Sequence, residues 1–206
     1  MSSSSEPGAG VVGSNAALIA AGMGAAVHLL DIDVEKLRLA EQNLPANVST
    51  HMSNPYNLQK LVPAADVLVG AVLVPGAKAP TLVSAEMVRN MKRGSVIVDT
   101  SVDQGGCVET MKATTHTAPT YVVDGVVHCG IANLPGAVPR TATMALSNAT
   151  YPYIFALENE GWEAACQQDQ GLAHGLNIIH GMVTHRGVAT AADVPFHPLP
   201  FAIQHD

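Results

Sequence analysis

The sequence predicts an α/β protein with a doubly wound parallel sheet, and three observations carry that prediction. Short apolar runs alternate with Ala-rich or amphipathic stretches of helical length, as when each helix crosses back over a parallel sheet. Gly8, Gly10 and Gly13 form G-x-G-x-x-G directly ahead of the first helical stretch. Of the 206 residues 48% are hydrophobic, yet only 4% are aromatic and 13% charged. Such a chain buries a core through small Ala, Val and Gly side chains, which let helices lie close on a sheet.

The elements follow in order. Asn15 to Met23 reads as a helix ended by Gly22-Met23-Gly24, since glycine readily takes the left-handed conformation that closes a helix. Ala25 to Leu30 is a brief strand with Asp31 at its end, and Val34 to Asn43 an amphipathic helix capped by Asp33. Val48 to His51 suits a short strand and Tyr56 to Leu61 a short helix. Asp66 to Leu73 is a near-continuous apolar run, expected of a parallel strand covered on both faces. After a Pro/Gly loop at 75–80, Ser84 to Met91 is a helix and Ser95 to Asp99 another buried strand. Val126 to Ile131 is one further strand. Pro135 to Pro139 marks a domain junction, followed by a long helix, Thr141 to Gly161, interrupted at Pro152. Residues 162–206 read as a short helix and turns. The expected divisions are a leader at 1–7, a nucleotide-binding domain at 8–138 and a helical segment at 139–206.

The glycine loop gives the sheet a function. In a Rossmann-type domain the first glycine permits a tight turn, the second lets the backbone approach a pyrophosphate, and the third lets helix and strand pack closely. The helix N-terminus adds unpaired N–H groups and partial positive charge. Asp31 lies 31 − 13 = 18 residues beyond Gly13, close to the spacing of the acid that bonds a ribose hydroxyl. A carboxylate there repels a 2′-phosphate, which favours NAD over NADP. The competing reading makes Asp31 a helix cap, but Asp33 is the better placed cap. A buried strand should precede Gly8; only Met1 to Pro7 stand there, so the first strand is expected to be missing.

Other classes are disfavoured. A net charge of −7 argues against nucleic acid, whose binders carry a basic stripe. Three cysteines, Cys107, Cys129 and Cys166, suggest neither disulfide framework nor zinc site, and favour a reducing compartment. The apolar run at 16–27 is too short to span a membrane, and residues 1–7 lack the features of a secretory signal. A soluble, cytoplasmic protein is expected.

Longer motifs are more specific than the glycines. The stretch from Gly70 to Thr110, GAVLVPGAKAPTLVSAEMVRNMKRGSVIVDTSVDQGGCVET, closely resembles the alanine dehydrogenases. So do SNPYNL (Ser53 to Leu58) and ANLPGAVPRTATMALSNATYPY (Ala132 to Tyr153). Residues 8–206 lie along the second half of that family, and the proton-translocating transhydrogenase subunit shares the layout less well. The resemblance implies NAD-dependent, reversible oxidative deamination of L-alanine to pyruvate and ammonia, in a hexamer. It also implies that this chain is a fragment lacking the first, substrate-binding segment.

The resemblance further assigns residues. Asp103, in the D-Q-G-G-C motif, matches the family's catalytic acid; its bland alternative is a turn cap ahead of Gly105-Gly106. Cofactor contacts fall on the loop Gly8, Gly10, Val11, Val12 and Gly13, then on Asp31, Lys36 and Ser53. They continue at Val72 and Leu73, at Thr100, Ser101, Val102 and Asp103, and at Ile131, Ala132, Asn133 and Leu134. Val72 and Leu73 are equally readable as strand core, and Lys36 as a solvated helix charge. Asp31 and Asp103 are expected to line one cleft. The family's catalytic histidine, substrate lysine and arginine have no counterpart here; His28 and His128 read as core or cofactor-proximal. The magnesium positions of some members match Ala156 and Glu160, so no metal site is expected. Two other readings remain: an inactive dinucleotide-binding fragment, transhydrogenase-like or truncated, and an NAD enzyme acting on a different amino acid.

Overall fold

A computed structural model describes residues 9–74 and 79–199. The chain divides into two compact units, the first made of 9–74 and 79–134, the second of 135–199. Gly8 lies outside the described residues.

The first unit opens with helix α1, Val11–Gly22, four residues earlier than the sequence suggested. The reason is Gly10, which takes an extended conformation as N-cap and releases the chain directly into the helix. Strand β1, Val27–Asp31, follows a left-handed Gly24 (φ 89°). Helix α2, Val34–Asn43, is capped by Asp33, whose carboxylate accepts from the N–H groups of Glu35 and Lys36. Strand β2, Val48–Met52, pairs parallel with β1, Val27 facing Val48. Helix α3, Pro55–Leu61, is capped by Asn54.

Next come β3 (Val67–Gly70), α4 (Ala85–Arg89) and β4 (Val96–Asp99). Ser84 caps α4 by accepting from the Met87 N–H. Strands β5, Thr120–Val123, and β6, Val126–Cys129, complete the unit. Strand β5 is a hairpin partner that the sequence did not announce. Its antiparallel pairing comes from a two-residue turn, Asp124-Gly125, both at positive φ, the geometry that matches strand twist.

The sheet order is β3-β4-β6-β5, with β3, β4 and β6 parallel, while β1 and β2 form a sheet of their own. Helix α1 touches both β1 and β3. Among the described residues no strand pairs with the free edge of either. The apolar run at 66–73 was expected to be covered on both faces. Instead Val67 and Val69 are 61% and 43% exposed, because β3 is an edge strand with no neighbour on one side. The core sits on the other part of the sheet, where Val88, Ile97 and Val126 are fully buried among Val62, Val83 and Met91. Each such side chain stabilises the fold by about 1.5–3 kcal/mol. His128 is fully buried there, as its apolar run implied, but His28 is exposed, because it points to the face of β1 opposite the buried Leu29.

The second unit consists of α5 (Pro139–Gln168), α6 (Gln170–His174), the hairpin β7 (Ile178–Ile179) and β8 (Met182–Val183), and α7 (Arg186–Ala192). Helix α5 runs through Pro152 and breaks at Gly161 instead (φ 75°, ψ 160°). Proline removes one backbone donor, whereas the conformation at Gly161 is one that other residues rarely adopt. Among the described residues after 162, the end of α5 is followed by two short helices and a hairpin rather than by turns alone.

Candidate functional site

Parallel strands place their carboxyl ends on one side, and the loops leaving those ends carry nearly every residue singled out above. The glycine loop enters at Ala9 and Gly10. No side chain caps α1, so the first N–H groups, those of Val11, Val12 and Gly13, are left for a ligand. Val11 and Val12 are exposed and Gly13 is buried in the helix. Ser14 Oγ donates to the Ala9 carbonyl (2.9 Å), and the Ala9 N–H donates to Asp31 Oδ2 (2.9 Å).

Asp31 is fully buried. Its other oxygen accepts from the Asp33 N–H at 2.8 Å, so the carboxylate braces the glycine loop against the end of β1. Each oxygen still has lone-pair capacity for a hydroxyl. The alternative of a simple helix cap goes to Asp33. Lys36 Nζ is buried and without a hydrogen-bond partner among the described residues. A buried ammonium without a partner is costly, and an orphan of this kind one turn into α2 suits a ligand oxygen better than a solvated helix face.

A cavity of about 340 Å³ joins the ends of β1, β2 and β3. Ile32, Ser53, Val72, Leu73, Leu82 and Met87 are among the residues that line it. It is predominantly apolar, as a site for a flat heterocycle is. Ser53, Val72 and Leu73 therefore share one wall; Asp31 and Asp103 are not in that lining. The expected single cleft for the two acids is not this cavity, since Asp31 turns inward to backbone amides while Asp103 stands exposed on another loop.

The loop after β4 is built around Asp99, which is fully buried. Its Oδ1 accepts from the Ser101 N–H (2.9 Å) and its Oδ2 from the N–H groups of Cys107 (2.8 Å) and Val108 (3.3 Å). Sequence reasoning missed this role; the available signal was a strand-end acid two residues before a serine and eight before a cysteine. Thr100 donates its hydroxyl to the Gly70 carbonyl (2.9 Å), and Ser101 Oγ accepts from the Val72 N–H (2.9 Å). The side chains of Thr100 and Ser101 thus tie the ends of β3 and β4 together, with Val102 buried beneath them.

Gly105 and Gly106 then turn the chain with φ of 94° and 73°. This leaves Asp103 exposed in the short turn Val102–Gln104, its carboxylate free of hydrogen bonds among the described residues. The Cys107 thiol is pushed up to about 12, first by burial and then by the Asp99 carboxylate. It is a packing group rather than a nucleophile. Its Sγ lies only 2.6 Å from where a Cβ on Gly70 would sit.

The loop after β6 is held by Thr114. Its N–H donates to the Gly130 carbonyl (2.7 Å) and its Oγ1 accepts from the Gly130 N–H (3.2 Å), with Thr114 bridging Ile131. His116 Nε2 donates to the Asn133 carbonyl at 2.7 Å. Ala132 and the Asn133 side chain are exposed, and Ile131 and Leu134 half-buried. Among the described residues no three His, Cys, Asp or Glu side chains converge on a metal position, and no helix is long and apolar enough to cross a membrane.

Comparison with known proteins gives this arrangement a setting. Residues 7–186 match the family described as alanine dehydrogenase/PNT, C-terminal domain. An alanine dehydrogenase of Methanococcus maripaludis is 50% identical over 197 residues, covering 95% of this chain and 53% of that relative. Alanine dehydrogenase 2 of Staphylococcus aureus is 48% identical over 198 residues, again covering 53% of the relative. The chain spans about half the length of the curated relatives it matches. Among solved structures, an L-alanine dehydrogenase superposes with a TM-score of 0.78 at 50% identity, over 90% of this chain and 51% of that one. A transhydrogenase from Sinorhizobium meliloti superposes with a TM-score of 0.60 at 28% identity, over 66% of this chain and 40% of its own.

Proposed function

The chain belongs to the alanine dehydrogenase/PNT C-terminal domain family, and from that membership we propose that it serves the NAD-dependent, reversible oxidative deamination of L-alanine to pyruvate and ammonia. NAD is the cofactor of the family, and the residues present fit it. The uncapped N-terminus of α1, the apolar cavity beside Ser53 and Val72, and the unpartnered Lys36 Nζ are the supporting observations.

The residue roles follow from their positions. The N–H groups of Val11 and Val12 bind pyrophosphate beside Gly8, Gly10 and Gly13. Asp31 and Lys36 bind the adenosine ribose. Ser53, Val72 and Leu73 enclose the adenine. The backbones of Thr100 to Asp103 and of Ile131 to Leu134 orient the nicotinamide, with the Asn133 side chain as its polar contact. When bound, NAD supplies the hydride acceptor. Asp103, exposed and free of hydrogen bonds among the described residues, moves a proton at the amine or at the water that attacks the imine.

The single observation that carries this reading is the 50% identity to an alanine dehydrogenase across 95% of the chain. Residues 8–138 form the NAD-binding part, and 139–206 join the substrate-binding part. The catalytic histidine, lysine and arginine that the resemblance implies have no counterpart among these residues, so residues 1–206 alone bind NAD weakly and do not turn over L-alanine. Oligomerisation as a hexamer belongs to a protein that also has the substrate-binding segment. Three free cysteines fit a cytoplasmic setting. The test is to titrate purified residues 1–206 with NADH by fluorescence and to assay L-alanine oxidation in parallel. Weak binding without turnover supports this division of roles; no binding to the folded chain overturns the NAD reading, and turnover at an ordinary enzymatic rate overturns the inactivity of residues 1–206 alone.

A further inference from the structure

We propose that His28 and His51 form a surface chelate for a divalent transition-metal ion of the copper(II) or nickel(II) type. The site is separate from the NAD reading and does not rest on it. His28 lies on β1 and His51 on β2, and the parallel register sets His28 opposite Ser49 and Leu30 opposite His51. Side chains two positions apart share a face of a sheet, so the rigid strand pair holds both imidazoles together. His28 Nδ1 is 2.9 Å from His51 Nε2, with ring centroids 5.0 Å apart. His28 is exposed and His51 half-buried, so an ion reaches them from solvent.

The spacing selects the ion. Two ring nitrogens about 2.0–2.1 Å from one metal are about 2.9 Å apart at a right angle, but about 3.4 Å apart at a tetrahedral angle. The hydrogen-bonded pair is thus already near a right-angle bite, and two imidazole donors favour copper(II) and nickel(II), which adopt square-planar or octahedral geometry, over tetrahedral zinc. No third His, Cys, Asp or Glu joins them among the described residues, so water completes the shell and affinity is moderate.

In the metal-free pair one ring donates its proton to the other. On binding, His28 carries its proton on Nε2 and His51 on Nδ1, both facing nitrogens present lone pairs, and the neutral pair releases no net proton. Small turns of each ring aim the lone pairs at one point. Lys60 on α3 is close enough to act on His51 electrostatically and opposes the cation. Glu41 is engaged elsewhere, accepting from Thr50 Oγ1.

The test is calorimetric titration of the untagged chain with copper(II), nickel(II) and zinc(II) at about pH 7.5, where imidazole is neutral. One equivalent should bind in the order copper, nickel, zinc. His28→Asn and His51→Asn should each weaken that equivalent roughly tenfold or more, because either change removes the chelate. Lys60→Gln should tighten it several-fold, a readout that stands even if one histidine variant fails to fold by circular dichroism. Undiminished binding in both histidine variants, or no binding by the wild-type chain, overturns the proposal. Looser binding in Lys60→Gln also counts against it.

Discussion

Asp31 shows how one side chain can serve packing and ligand at once. Its two oxygens hold the N–H groups of Ala9 and Asp33, so Asp31→Ala does more than remove a ribose contact. It strands two half-buried donors, which costs up to about 1–3 kcal/mol, and should lower the urea midpoint as well as the affinity for NADH. An unchanged affinity in the folded variant takes Asp31 out of the ribose site. Asp103 is the opposite case, exposed and without a hydrogen-bond partner among the described residues. Asp103→Asn should leave stability and NADH affinity alone, yet cut turnover roughly 10²- to 10⁴-fold. The measurement needs an active chimaera carrying the first half of the Methanococcus maripaludis relative. Persistent turnover there removes Asp103 from the proton steps. The spacing of Asp31 and the D-Q-G-G-C motif around Asp103 were legible in the sequence. The inward turn of Asp31 was not, since its partner Ala9 lies 22 residues away.

At the scale of elements, the crossing of β3 and the loop after β4 is tightly packed. A Cβ on Gly70 would sit 2.6 Å from Cys107 Sγ and 3.1 Å from Asp99 Oδ1. Gly70→Ala should therefore cost about 1–3 kcal/mol by overpacking, read from chemical unfolding. Cys107→Ala in the same chain should recover part of it, a coupling expected of residues in contact. The same crowding protects the thiol. With its pKa raised to about 12 by burial and by Asp99, Cys107 stays protonated at pH 8, and iodoacetamide should modify it only after unfolding. Rapid alkylation of the native protein would show that the loop opens. The sequence located β4 and the glycines, but nothing local marks Asp99 as the hub. Its acceptors are used by residues two, eight and nine positions on, a pattern that has no period.

At the scale of the whole molecule, the two sheets of the first unit have free edges among the described residues. Strands β1 and β3 each leave one edge unpaired among the described residues, and Val67 and Val69 are exposed on β3. Open apolar edges pair with other chains, so light scattering of the purified chain should rise with concentration and temperature. A chain that stays monodisperse at high concentration would show that these edges are covered. Helix α5 adds exposed Met144, Leu146, Ile154 and Phe155, a surface of the kind that marks an interaction face.

Order and type of most elements were set by the sequence alone, because hydrophobic period, glycine stops and Asp, Asn or Ser caps act over a few residues. The same short-range signals marked the glycine loop, and the long motifs named the family. Tertiary structure decided what depends on distant partners: the antiparallel β5, the network around Asp99, and the meeting of His28 with His51. The physical reason is that side-chain hydrogen bonds and close packing join residues whose separation along the chain carries no repeating signal, so only the folded coordinates bring them into view.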